Sequence, residues 1–279
     1  MITTKNLDFS YSKKANLISS LNLEVSAGRI HGLLGKNGEG KSTLLKLFTG
    51  ILFPTHGEIQ TMGFNPRDRK PEMLADVYFL PEELPTVNLS VQKFEKIYAP
   101  FYPHFSAELF NQYLKDFEVE DKKKVIEKHS LGEKRKILLA FAIATNTKLL
   151  LLDEPTNGLD IPSKAQFRKI IASTIDETKC LIISTHQVKD LDSLIDSIII
   201  LKDHQIKFHQ NLENITEKLQ FKFESNTAKT NSVLYSEETP RGKYIICPNE
   251  TGEESKLDIE MLFNGIHANE SEFTAIFKS

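Results

Sequence analysis

The run Gly35-Lys36-Asn37-Gly38-Glu39-Gly40-Lys41-Ser42-Thr43 has the spacing of a loop that holds a polyphosphate. A triphosphate is a dense anion. Holding it takes several backbone N–H groups turned inward at close range, which glycine permits, together with the positive end of a helix dipole. In the pattern Gly, four residues, Gly-Lys-Ser/Thr, the lysine reaches the β and γ phosphates and the next hydroxyl reaches Mg²⁺; Lys41 and Ser42 take those positions. A second constellation, Asp153-Glu154, follows the four leucines Leu149 to Leu152. Adjacent carboxylates leaving a strand point differently. Asp153 can therefore hold Mg²⁺ through water while Glu154 faces the γ phosphate and orients or deprotonates an attacking water. Ligands of open α/β sheets bind at the carboxyl ends of the strands, where this pair would stand.

The elements that must position these residues are legible around them. Arg29 to Leu34 reads as a short apolar strand, and Thr43 to Phe48 has helical spacing that stops at Gly50, so the glycine loop joins a strand to a helix. Leu149 to Leu152 and Cys180 to Ser184 are unbroken apolar runs, as in parallel strands covered on both faces, and Val77 to Leu80 and Ser197 to Leu201 join them. Pro162 opens a helix with Phe167, Ile170, Ile171 and Ile175 on one face. Ile2 to Val25 alternates apolar and polar residues, which predicts half-exposed antiparallel strands, with a further strand at Thr55 to Gln60. From Leu84 to about Ala144 the apolar spacing changes to three and four, a helical insertion broken at Pro100 and Pro103. After Lys202, Ile206, Phe208, Phe221, Phe223, Val233 to Tyr235 and Tyr244 to Ile246 suggest short strands. Two small helices follow near Leu257 to Phe263 and Glu270 to Phe277.

A chain of 279 residues can build one large α/β domain with an appendage and needs no covalent staples. Its net charge of −3 gives no bulk electrostatic drive toward nucleic acid. Cys180 and Cys247 are far apart and lack Cys-x-x-Cys partners, which argues against a zinc site and a disulfide framework; Cys180 opens an apolar strand and reads as buried and inert. The longest apolar run, Ile137 to Ala144, falls well short of the ~18 residues of a membrane span. Met1 to Lys5 leads into a strand without an apolar signal segment. The expectation is a cytoplasmic chain whose membrane partner is a separate polypeptide.

The stretch Leu151-Leu152-Asp153-Glu154-Pro155-Thr156-Asn157-Gly158-Leu159-Asp160 resembles the magnesium strand and following loop of ABC transporter ATP-binding subunits, and the resemblance runs from about Ile2 to Lys207. It implies an α/β, P-loop NTPase fold: an ABC ATPase core sheet, an N-terminal antiparallel β-subdomain and an α-helical subdomain at about 84–144. The ATP-binding domain would be 1–207, and 208–279 a small α+β C-terminal extension. ATP and Mg²⁺ are the implied ligands, with Ser42, Asp153 and Glu82 near the metal and Glu154 catalytic. His186, ending the strand Cys180 to Thr185, is similar to the family's switch histidine on the γ phosphate. Tyr11 is similar to the aromatic that stacks on adenine, and Asp160 lies in the stretch that crosses the family's dimer interface. Glu82 stands where the family has a glutamine whose carbonyl reaches Mg²⁺ and the attacking water; it keeps an oxygen ligand and adds a charge.

The family's signature, Leu-Ser-Gly-Gly-Gln, is here His129-Ser130-Leu131-Gly132-Glu133, matching at Ser130 and Gly132. On the residues alone, Ser130-x-x-Glu133 is a capping box. The resemblance adds that Ser130 and its helix N-terminus face the γ phosphate of an ATP held by another subunit. Glu133 brings an anion to that place, with Lys134, Arg135 and Lys136 near enough in sequence to offset it, so weaker or slower dimer closure is expected.

The implied function is an exporter's ATPase subunit, paired with a second copy or a paralogue and driving a separate transmembrane permease from the cytoplasmic face of the cell membrane, with no nucleic-acid partner. Leu89-Ser90-Val91 and Ile97 to Phe105 resemble bacterial ABC-2-type exporter ATPases, including those associated with antimicrobial-peptide stress, and apolar side chains around Phe94 to Phe105 would dock the permease. The competing readings are a soluble ABC ATPase outside transport, a nucleotide-sensing subunit with weak hydrolysis, and a P-loop kinase. The last does not account for Glu154, Ser130-x-Gly132 and His186 together.

Overall fold

Alternation in the first segment produces β1 (Ile2–Phe9) and β2 (Ile18–Val25), antiparallel partners with Ile2 opposite Val25 and Leu7 opposite Leu21. β3 (Arg29–Leu34), α1 (Lys41–Phe48) and β4 (His56–Thr61) follow, and β4 pairs with β1 to complete the three-stranded sheet β2-β1-β4. This computed structural model describes residues 1–12, 16–188, 194–225 and 232–278. α2 (Pro71–Ala75) and β5 (Val77–Leu80) lead into three helices, α3 (Val91–Tyr98), α4 (Ala107–Asp116) and α5 (Leu131–Ala144). Each of the three begins with a serine, Ser90, Ser106 or Ser130, whose side chain accepts from a backbone N–H three residues on, filling an otherwise orphaned donor. Phe141 of α5 is the hub of the helical region, with the rings of Tyr78, Phe94, Tyr102, Phe105 and Phe110 centred 4.7 to 6.2 Å away.

β6 (Leu149–Asp153), α6 (Ile161–Ala172), β7 (Cys180–Thr185), β8 (Ser197–Lys202) and β9 (Gln205–Asn211) complete the main sheet, in the order β5-β6-β7-β3-β8-β9. Its first five strands are parallel and β9 runs antiparallel to β8. The sheet separates two apolar cores, and successive side chains of one strand serve each in turn. Leu149 and Leu151 pack with Leu44, Leu45, Leu47 and Phe48 of α1 and with the antiparallel sheet, whereas Leu150 and Leu152 pack with α5 and α6. An unbroken leucine run is stable here because both faces are covered, each buried leucine contributing about 1.5–3 kcal/mol.

α6 closes at Ala172, so Ile175, expected on its apolar face, lies past the helix end and packs at the edge of the core. The cause is local: the Ser173 and Thr174 hydroxyls both donate to the Ile170 carbonyl, at 2.7 Å, and take up the last turn's acceptor. β9 runs on to Asn211, so the expected division at Lys207 falls inside a strand of the main sheet. α7 (Leu212–Lys218), β10 (Leu219–Ser225), β11 (Tyr235–Thr239), β12 (Gly242–Pro248) and α8 (Ile259–Lys278) finish the described chain, with the sheet order β10-β12-β11. β11 starts at Tyr235, two residues later than the apolar run from Val233 suggests. α8 is kinked at Asn269, whose side chain donates to the Leu234 carbonyl at 2.7 Å, so the two expected helices are one interrupted helix. Ile215, Leu219, Ile246, Leu262 and Phe273 belong to the same apolar core as α5. The extension therefore shares the main core.

Candidate functional site

β3 delivers the chain to the glycine loop. Gly38 (φ +86°) and Gly40 (φ +107°) adopt the left-handed backbone that favours glycine, and a Cβ on Gly35 would sit 2.7 Å from the Leu201 carbonyl. α1 then starts with Gly40 as its cap. No side chain caps it, and its first turn holds no acidic residue, so its positive end is uncompensated. A cleft of about 250 Å³ has Asn37, Gly38, Gly40, Lys41, Ser42 and Thr43 on one wall and Glu82, Asp153 and Glu154 on the other. The Lys41 ammonium donates to the carbonyls of Gly35 (2.7 Å) and Lys36 (3.3 Å). Burial pushes its pKa down, while Glu154, Asp153, Glu82 and Glu39 favour its charge. Lys36 and Glu39 are not in the cleft wall; the Glu39 carboxylate accepts the His204 backbone N–H at 3.4 Å.

Asp153 and Glu154 are buried at the carboxyl end of β6, and neighbouring strands fix both. The Ser184 hydroxyl donates to Asp153. Glu154 accepts three bonds from the end of β7 and the residue after it: from the Thr185 hydroxyl (2.9 Å), the His186 backbone N–H (2.9 Å) and His186 Nδ1 (2.6 Å). An ionised carboxylate only accepts, so His186 Nδ1 carries the proton of that bond. Glu82 Oε1 accepts from the Asn157 side chain at 3.0 Å, and Asn157 in turn accepts from Gln187 at 3.2 Å. Glu83, the other carboxylate of that turn, is not in the cleft wall.

The remaining candidates lie around this centre. β1 ends at Phe9, so Tyr11 is not in the strand; it is 64% exposed, edge-on to Phe9, and its hydroxyl is 3.1 Å from the Thr43 hydroxyl at the cleft. Ser130 and Glu133 form both halves of the capping box, with the Ser130 N–H 3.0 Å and its hydroxyl 3.1 Å from Glu133 Oε2. These bonds hold the Glu133 carboxyl below the usual carboxylate range. The three cations expected to offset Glu133 are engaged elsewhere. Lys134 pairs with Glu127, Arg135 is buried against the loops that carry Glu82 and Glu154, and Lys136 lies 3.8 Å from Asp160. Gly132 touches the loop after β6, since a Cβ there would be 3.1 Å from the Gly158 carbonyl, and Asp160 caps α6 by accepting from the Ser163 N–H at 2.8 Å.

The family description "ABC transporter" matches residues 18–157, half of the chain and the part that holds the glycine loop and both carboxylates. The chain belongs to the ABC transporter family. It is 30% identical to the lantibiotic transport ATP-binding protein SrtF of Streptococcus pyogenes over 78% of this chain and 95% of that one. It is 28% identical to the bacitracin transport ATP-binding protein BcrA of Bacillus licheniformis over 95% and 90% respectively, a match that includes the C-terminal extension. Among solved structures it resembles the ATP-binding subunit of an ABC transporter (TM-score 0.69, 23% identity, 77% of this chain and 91% of that one). It also resembles a dimeric ATP-binding cassette in a post-hydrolysis state with ADP and Pi (TM-score 0.67, 22% identity, 76% and 99%). This ABC protein is thus an ATP-binding subunit that hydrolyses ATP.

Several side chains that build the ABC protein's cleft are absent from the sequence-level candidates. Ser184 and Thr185 are read there only as apolar-strand ends, although they hold Asp153 and Glu154. Asn157, named there only within the loop after the magnesium strand, bridges Glu82 and Gln187. Arg135 donates to the backbone carbonyls of both Glu154 and Glu82. In the sequence Arg135 stands between Lys134 and Lys136, before the apolar run from Ile137, and nothing there sets it apart from its charged neighbours.

Proposed function

We propose that this subunit powers export through a separate transmembrane permease, using the chain through the end of β9 at Asn211 as the ATP-binding domain and the chain after it as an extension packed on the same core. The observation that carries the reading is one cleft joining the Lys41 loop to a buried Glu154 already hydrogen-bonded to His186. Lys41 and the Gly35 to Thr43 amides would hold the β and γ phosphates, with Tyr11 against the adenine. Ser42, Asp153 and Glu82 offer the cleft an all-oxygen donor set, which suits Mg²⁺. Bound there, Mg²⁺ would neutralise charge developing on the phosphates. Glu154 uses three of about four lone-pair sites on its carboxylate, so a site remains to orient and deprotonate a water, and His186, bonded beside it, would contact the γ phosphate.

Ser130, at the exposed start of α5, and Asp160 would face the nucleotide and loop of a second copy or a paralogous subunit. The dimeric ADP- and Pi-bound cassette supports that arrangement. A groove of about 620 Å³ lined by Ile51, Leu74, Phe79, Pro100, Phe101 and Tyr102, with Phe101 66% exposed, suits an apolar segment of the permease. Among the described residues no helix is long and apolar enough to cross a membrane. The lantibiotic and bacitracin transport relatives favour a peptide antibiotic as cargo.

Replacing the base is the direct test. Glu154→Gln should lower ATP turnover by a factor on the order of 10²–10⁴ while retaining ATP binding, and should yield an ATP-bound dimer on gel filtration. Wild-type turnover in that variant would remove Glu154 from the role.

A further inference from the structure

Glu154 has φ +45°, a left-handed backbone that is unusual for a side chain larger than asparagine, and it persists only where the surroundings impose it. Its N–H donates to the Ser184 carbonyl at 3.0 Å, which fixes one side of the residue to β7. Its carbonyl accepts from the Asn157 N–H at 3.2 Å and from Arg135 Nη1 at 3.0 Å. The other terminal nitrogen of the same guanidinium, Nη2, donates to the Glu82 carbonyl at 2.6 Å. Residues 82 and 154 belong to different loops, and one planar fork on α5 spans both.

Arg135 is 4% exposed, and its Nε has no hydrogen-bond partner among the described residues, so the site accepts a partly unsatisfied buried cation. Burial opposes the charge, while the Glu82, Glu154 and Asp153 carboxylates favour it. An apolar side chain would fill the space without that cost. What an apolar side chain lacks is a rigid pair of donors at a fixed separation, and lysine, a single ammonium on a flexible stem, lacks it too.

We propose that Arg135 is a positioning residue for hydrolysis, locking the backbone of Glu154 to that of Glu82 so that both carboxylates meet the nucleotide in one geometry. Arg135 touches neither carboxylate oxygen in this arrangement; it acts through the two carbonyls. Because it stands five residues after Ser130 on α5, the helix start that would face the partner's ATP and the loops carrying the carboxylates share one rigid connection. Loss of the fork frees Glu154 to relax from its left-handed backbone, which displaces its carboxylate while leaving the glycine loop intact. The inference rests on the reading of Glu154 as the base.

The test uses the full chain and three variants, Arg135→Met, Arg135→Lys and Glu154→Gln, each measured for kcat, KM, binding of a fluorescent ATP analogue and melting temperature. Arg135→Met should lower kcat at least ten-fold with KM and analogue affinity within two-fold of wild type, and Arg135→Lys, able to reach one carbonyl, should fall between. A purely structural arginine would instead lower analogue binding, kcat and melting temperature together, and that pattern overturns the proposal. Wild-type kcat in Arg135→Met overturns it as well. If Arg135→Met does not fold, the kcat-against-KM split in Arg135→Lys decides by the same criteria. Glu154→Gln separates the two ideas: hydrolysis surviving there sinks the base assignment, whereas its loss beside a fully active Arg135→Met sinks the positioning role alone.

Discussion

His31, on the strand that feeds the phosphate loop, is a buried imidazole whose Nε2 donates to the Ser26 carbonyl at 3.1 Å and whose Nδ1 has no partner among the described residues. Burial holds its pKa at about 4, against 6.5 for an exposed histidine. Between those values the unfolded chain binds a proton that the folded chain refuses, so stability falls as the pH drops from about 6.5 to about 4, by on the order of 3 kcal/mol at most. Urea midpoints at pH 7, 5.5 and 4.5 for wild type and His31→Phe test this. The variant should lose less stability across the window, and an equal loss in both would refute it. The same scale separates what the sequence discloses from what it hides. Gly35 to Thr43 and Asp153-Glu154 are legible because the loop geometry and the strand end demand particular residue types in unbroken succession. Arg135 is not, because its two acceptors lie 19 and 53 residues away and an arginine on a helix ordinarily reads as solvated.

At the start of α5 two demands compete for the same donors. Its capping box ties the Ser130 hydroxyl and N–H to the Glu133 carboxylate, two donors that a phosphate of a second subunit's ATP would also seek. Glu133→Gln keeps an oxygen to accept the Ser130 N–H and adds an amide donor. It should leave stability within about 0.5 kcal/mol and raise ATP turnover several-fold, with ATP-dependent dimerisation appearing at lower protein concentration on gel filtration. Unchanged turnover would mean that the carboxylate does not oppose closure. Elements were readable wherever an apolar run was unbroken, as in β6 and β7, or an apolar spacing of three and four was sustained, as in α3 and α4. Their ends were less so: α6 stops before Ile175 because two hydroxyls capture a carbonyl, a contact that hydropathy does not register. Likewise Lys134 to Lys136 are adjacent in sequence yet diverge by about 100° per residue around the helix, so their charges serve three different partners.

Across the whole molecule, the groove carrying Ile51 and Phe101 places apolar surface at the junction of the core sheet and the helical region. Phe101→Ser should leave the isolated subunit's ATP turnover within two-fold of wild type and sharply reduce the permease recovered with it from detergent extracts. Equal recovery would exclude that groove as the docking face. In the extension the strands and the helical stretches were readable and the junction was not: these elements add to an existing core rather than build their own, so no periodic signal announces where they join. The leucines of β6 hold a further implication. Since alternate residues feed opposite cores, the strand behaves as a counted rod on which parity decides which way every side chain, including terminal Asp153, is aimed. Inserting one residue there would invert the whole set, whereas inserting two would preserve orientation and only lengthen the rod, so tolerance to added length in this strand should follow odd and even numbers rather than size.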